Sequence, residues 1–76
     1  MSVYRVVVSN MGTVFNADTT AAHAYTEFET WCEISKTGRT VTGTSVGAAH
    51  GECVALFEGP ELIREYDGHL YASDRE

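Results

Sequence analysis

The residues of this chain that could do chemistry are two cysteines, three histidines and eleven carboxylates. A metal site would have to combine Cys32 and Cys53 with His23, His50 and His69. Zinc sites usually collect their ligands as two closely spaced pairs. These five positions do not divide that way, so neither a metal nor any other cofactor is expected. A Cys–His nucleophilic pair would also need a third orienting group and a place for the oxyanion. Cys32 falls on the apolar stripe of a helix, where a thiol usually fills space. The expectation is therefore a protein that is not an enzyme, with two free thiols kept reduced in the cytoplasm. Gly43, Gly47 and Gly51 recur at every fourth position. No Gly-Lys-Ser/Thr follows and no Lys or Arg lies among them, so they read as a loop and not a phosphate cradle.

The carboxylates carry more information. Five Lys plus Arg stand against eleven Asp plus Glu, a net charge of −6. One group, Glu27, Glu29 and Glu33, belongs to the outer face or flank of the helix. Glu29 and Glu33 are four residues apart, a like-charge spacing that costs an isolated helix roughly 0.2–0.5 kcal/mol. Lys36 is placed to relieve Glu33. A second group, Glu58, Glu61, Glu65 and Asp67, gathers around the last hairpin. These seven are the candidate partner-binding residues. The plainest reading is a solvated surface that keeps a small protein soluble. The functional reading is a negative field aimed at the basic nucleic-acid groove of a protein complex, with carboxylates in the place of phosphates, as in DNA mimics. The same charge argues against direct binding to nucleic acid or to an anionic membrane.

Seventy-six residues allow a single small domain, and a 43% hydrophobic share is normal for a folded one. Such a chain buries only roughly 60% of its unfolded surface, which leaves little room for an enclosed active site. The apolar stretch near the amino terminus is too short for a signal-peptide core. No run reaches the ~18 apolar residues of a membrane span. The expected location is thus the cytoplasm in which the protein is made.

Residues 3–9 are a β-branched run with both faces largely apolar, which suits a central strand. Asn10-Met11-Gly12 reads as a tight hairpin loop with Gly12 left-handed. A short second strand is expected at 13–16. Asp18, Thr19 and Thr20 are three candidate N-caps. Residues 21–36 follow a helical pattern, with Ala21, Ala24, Tyr25, Phe28, Trp31, Cys32 and Ser35 on the inner face and Trp31 at its edge. Gly38 is the expected stop. Residues 37–51 read as a loop, with room for a short strand at 39–41. Residues 52–58 form another strand, and Gly59-Pro60 a turn. Residues 61–66 fit either a strand or a helix opened by Pro60, and the strand is favoured because it gives the preceding one a partner. Residues 69–76 read as a frayed tail. The sum is one α+β domain over 1–76: a mostly antiparallel four-stranded sheet in ββαββ order, with one helix on one face.

One helix covers one face. Yet Tyr4, Val6 and Val8 oppose Val3 and Val7, while Val54 and Leu56 oppose Cys53, Ala55 and Phe57. The second face needs the 37–51 loop, a second copy in a homodimer, or another protein.

The stretch Val6-Val7-Val8-Ser9-Asn10-Met11-Gly12-Thr13-Val14-Phe15, then Phe28 and Trp31 ahead of Ser35-Lys36-Thr37-Gly38, then Gly51-Glu52-Cys53-Val54-Ala55-Leu56-Phe57, resembles a group of small proteins encoded by bacteriophages and prophages. The resemblance spans most of the chain, and residues 38–51 depart from it by looking longer. Its motifs are turns, core positions and strands, so it implies a fold. Some small acidic phage proteins of this style are anti-CRISPR proteins, and that similarity implies a partner class but no functional residue. The expected function is an inhibitor that binds a CRISPR effector, or another nucleic-acid-handling complex, in the host cytoplasm. The alternative is a self-associating phage structural or assembly protein.

Overall fold

Strand-forming residues open the chain, and their alternation decides which side faces the helix. The computed structural model describes residues 2–68, so the expected tail at 69–76 lies outside the described residues. In chain order the elements are β1 (Ser2–Val8), β2 (Gly12–Thr19), α1 (Ala21–Thr37), a short 3-10 turn (Gly47–Ala49), β3 (Val54–Glu58) and β4 (Glu61–Tyr66). The four strands form one antiparallel sheet in the order β2-β1-β3-β4. The two hairpins meet where β1 pairs with β3, from Tyr4 opposite Glu58 to Val8 opposite Val54. The expected ββαββ architecture is thus the observed one, and β1 is a central strand.

The first hairpin closes as its residues require. The Met11 amide donates to the Val8 carbonyl at 2.9 Å, and Gly12 takes a φ of 84°. The second strand is longer than expected and runs to Thr19. Asp18 and Thr19 pair with Val3 and Ser2, which removes both from the contest for N-cap. Thr20 takes that role, and its Oγ1 accepts from the His23 amide at 3.2 Å. Gly38 ends α1 at φ 75°, with its amide donating to the Ile34 carbonyl at 2.7 Å.

Tyr4, Val6 and Val8 of β1 and Val54 and Leu56 of β3 form the inner face, buried under Ala24, Phe28 and Ile34 of α1 and Ala49 of the following segment. Two expectations for the helix need correction. Ala21 is exposed, and Ile34, left off the stripe, is buried. Residues 39–41 form no strand beyond one bridge between Arg39 and Ser45. Instead, residues 38–53 fold back on the end of the helix. The Val46 amide donates to the Gly38 carbonyl and the Gly51 amide to the Ser35 carbonyl, both at 2.8 Å. Ser35 Oγ, fully buried, donates to the Glu52 carbonyl at 2.6 Å. This segment therefore packs on the helix side and leaves the outer sheet face alone. There Val3 is 51% and Leu62 47% exposed, and Arg5 lies over the Phe57 ring at 4.6 Å.

Candidate partner-binding surface

Seven carboxylates spread over α1, β3, β4 and the residue at 67 do not make one patch. Glu29 and Glu33 are exposed and one turn apart on α1, on the wall of a groove between the helix and the 39–45 loop. Ile34 also lines the groove, with Thr37, Arg39 and Val41 continuing it. Glu27 is half-buried. At ~100° per residue it points to the far flank of the helix from Glu29. The helix thus presents two of its three carboxylates together.

The last hairpin divides its own set. Glu58 and Glu61 face each other across the turn, on the helix side of the sheet. Like charges opposite one another on a strand pair are destabilising. A hydrogen bond offsets part of this, because Tyr4 Oη donates to Glu58 Oε2 at 3.2 Å. Burial first, and the Glu58 charge second, raise the Tyr4 phenol above its ordinary value. Glu65 stands opposite Ala55 and so projects from the outer face. Asp67 Oδ1 accepts from the Cys53 thiol at 3.4 Å. Glu29 with Glu33, and Glu58 with Glu61, are the pairs the fold brings together.

Three of the cations lie over aromatic rings. Arg5 sits over Phe57, Arg64 over Tyr25 at 5.3 Å, and Lys36 over Tyr66 at 5.6 Å. Lys36 also pairs with Glu33 at 3.3 Å, as its spacing suggested. Lys36 and the groove residue Arg39 thus stand beside Glu29 and Glu33, while the excess of carboxylates over the whole sequence keeps the net charge at −6.

Arg39 and Val41 were not singled out from sequence. Val41 is 96% exposed, at the tip of the 39–45 loop. The available signal was one aliphatic residue inside a Thr/Gly-rich loop.

Cys32 and Cys53 are both half-buried and form no disulfide. Burial, with Glu29 and Glu33 adding to it against Lys36, pushes the Cys32 thiol up to about 11. A protonated thiol is a poor nucleophile. His23 Nδ1 lies 2.9 Å from Thr19 Oγ1, and its ring meets the edge of Phe15. His69 lies outside the described residues. Among the described residues no group of three or more His, Cys, Asp or Glu is placed to hold a metal ion, and no helix is long and apolar enough to cross a membrane. Comparison with protein-family models, curated proteins and solved structures gave no match.

Proposed function

We propose that the protein is a non-enzymatic inhibitor that binds a nucleic-acid-handling protein complex in the host cytoplasm and occupies its basic groove. The partner class is a CRISPR effector, a choice that rests on the resemblance to small acidic phage proteins. The observation that carries the mode of action is the pair Glu29 and Glu33, exposed one turn apart on one helix, with Lys36 sharing Glu33 and Arg39 across the groove offsetting part of their charge. Carboxylates held on a helix keep their spacing when they meet a Lys/Arg-rich groove. They also steer the encounter, so association slows as salt rises. The test is competition between the protein and target DNA for a purified effector complex. The parent protein displaces DNA, and Glu29→Lys with Glu33→Lys does so far less well. Simultaneous binding of DNA and protein overturns the reading.

The outer sheet face favours a second reading, self-association as a phage structural or assembly protein. Val3 and Leu62 are about half exposed there, beside Val7, Ala55 and Phe57. Sedimentation equilibrium decides it, since a strict monomer over a wide concentration range removes this reading.

A further inference from the structure

We propose that the groove beside the C-terminal half of α1 docks an arginine-bearing segment of a partner protein. This rests on the reading that the partner is basic, and it names the place and the side chain. The groove has a volume of about 380 Å³ between α1 and the 39–45 loop. Ile34, only 4% exposed, forms its apolar floor. Val41, almost fully exposed, forms the lip.

That lip is held in place. The Thr44 amide donates to Thr40 Oγ1 at 3.0 Å, the Gly43 amide donates to the Thr40 carbonyl at 2.9 Å, and Arg39 bridges Ser45. Thr37 Oγ1 accepts from the Arg39 amide at 3.1 Å and so fixes the root of the loop to the helix. The braced loop thus holds the Val41 side chain at the mouth of the groove, where it adds apolar surface to that of Ile34. Beside it stand Glu29 and Glu33 on the helix wall.

An apolar floor under a carboxylate rim suits one kind of side chain. Arginine lays its aliphatic stem on apolar surface and carries a planar, weakly hydrated guanidinium that engages carboxylates through two parallel hydrogen bonds. Lysine offers a point charge that is more strongly hydrated, and an apolar groove charges more for its desolvation. Within the groove Arg39 opposes the incoming charge, and Lys36 already shares Glu33 at 3.3 Å. Glu29 is therefore the main acceptor, and Arg39 restrains affinity.

The experiment is an NMR titration of the full chain with the peptide acetyl-Ala-Arg-Leu-Arg-Ala-amide. Two controls replace both arginines, one peptide with citrulline and one with lysine. The arginine peptide shifts the Ile34 and Val41 methyl signals saturably. Citrulline weakens this about tenfold, the weight of one charge-assisted hydrogen bond, and Glu29→Gln does the same. Arg39→Ala tightens binding. Val41→Ser weakens it without disturbing the fold, because the side chain it replaces is in water. Equal binding of the citrulline or lysine peptide overturns the proposal, as does a response confined to the Glu58–Glu61 hairpin. The same variants in the DNA competition separate the two readings. Peptide binding in the groove with no displacement of DNA removes the inhibitor function and upholds the groove. Full displacement by Glu29→Gln with Val41→Ser, once peptide binding is lost, removes the groove as the partner site.

Discussion

Phe28→Ala tests whether the helix is held by the contact described. Phe28 is 8% exposed at the middle of the inner helix face, among the side chains of β1 and β3. Truncating a buried Phe to Ala costs about 3–5 kcal/mol, the sum of lost transfer energy and the cavity left behind. At roughly 0.05–0.15 kcal/mol per residue, a domain of this length has about 4–11 kcal/mol in total. The substitution thus removes a large share of the stability, and each kcal/mol lowers Tm by roughly 4–8 °C in a domain of this size. Urea denaturation followed by the fluorescence of Trp31, the single tryptophan and itself packed on the core, reads the loss directly. Phe28→Leu keeps most of the volume and should cost under about 1.5 kcal/mol, so the pair remains informative if the alanine variant does not fold. A loss below ~1 kcal/mol for Phe28→Ala would show that the helix does not rest on this side chain.

Other outcomes follow from particular contacts. Thr20→Ala removes the N-cap and should cost about 1 kcal/mol in the same denaturation, while Thr20→Asn should cost almost nothing. Gly38→Ala must hold a left-handed φ with its Cβ 3.0 Å from the His50 ring. It should destabilise by roughly 1–2 kcal/mol or more, with no relief from His50→Ala if backbone strain dominates. The Cys32 thiol should resist alkylation at neutral pH and gain reactivity as pH approaches about 11. Since folding raises its pKa above the ordinary 9.0, the unfolded chain loses the proton first. The Cys32 contribution to stability is therefore complete below pH 9 and declines as pH rises toward 11, which pH-dependent urea melts of the parent and of Cys32→Ala will resolve.

Local chemistry carried much of the fold into the sequence. Gly12 and Gly38 mark their turns because both hold a positive φ. The helix shows itself through spacing, and β4 through the need of β3 for a partner. The exceptions are set by distant parts of the chain. Asp18 and Thr19 have good capping side chains, but pairing with β1 claims them for the sheet. Ile34 lies off the stripe that faces the sheet and is buried because residues 38–53 return over the end of the helix. The candidate surface was legible only in part. Glu29 with Glu33 follows from helical spacing. The scatter of Glu58, Glu61, Glu65 and Asp67 over the last hairpin depends on the register shift between Leu56 and Phe57, which no short pattern encodes. Val41 needed the course of the 39–45 loop, whose shape comes from threonine hydroxyls bonding to nearby backbone.

Were the acidic helix wall to take the place of nucleic acid on a basic partner, this protein and labelled target DNA would compete for a purified CRISPR effector complex. With the parent protein, binding should be mutually exclusive, with an association rate that falls steeply as salt shortens the Debye length toward ~8 Å at physiological ionic strength. Glu29→Lys with Glu33→Lys should lose most of that displacement, while Thr26→Ala on the same exposed side of the helix retains it. A ternary complex of effector, DNA and this protein, or full displacement by the charge-reversed protein, would show that the helix carboxylates do not stand in for nucleic acid.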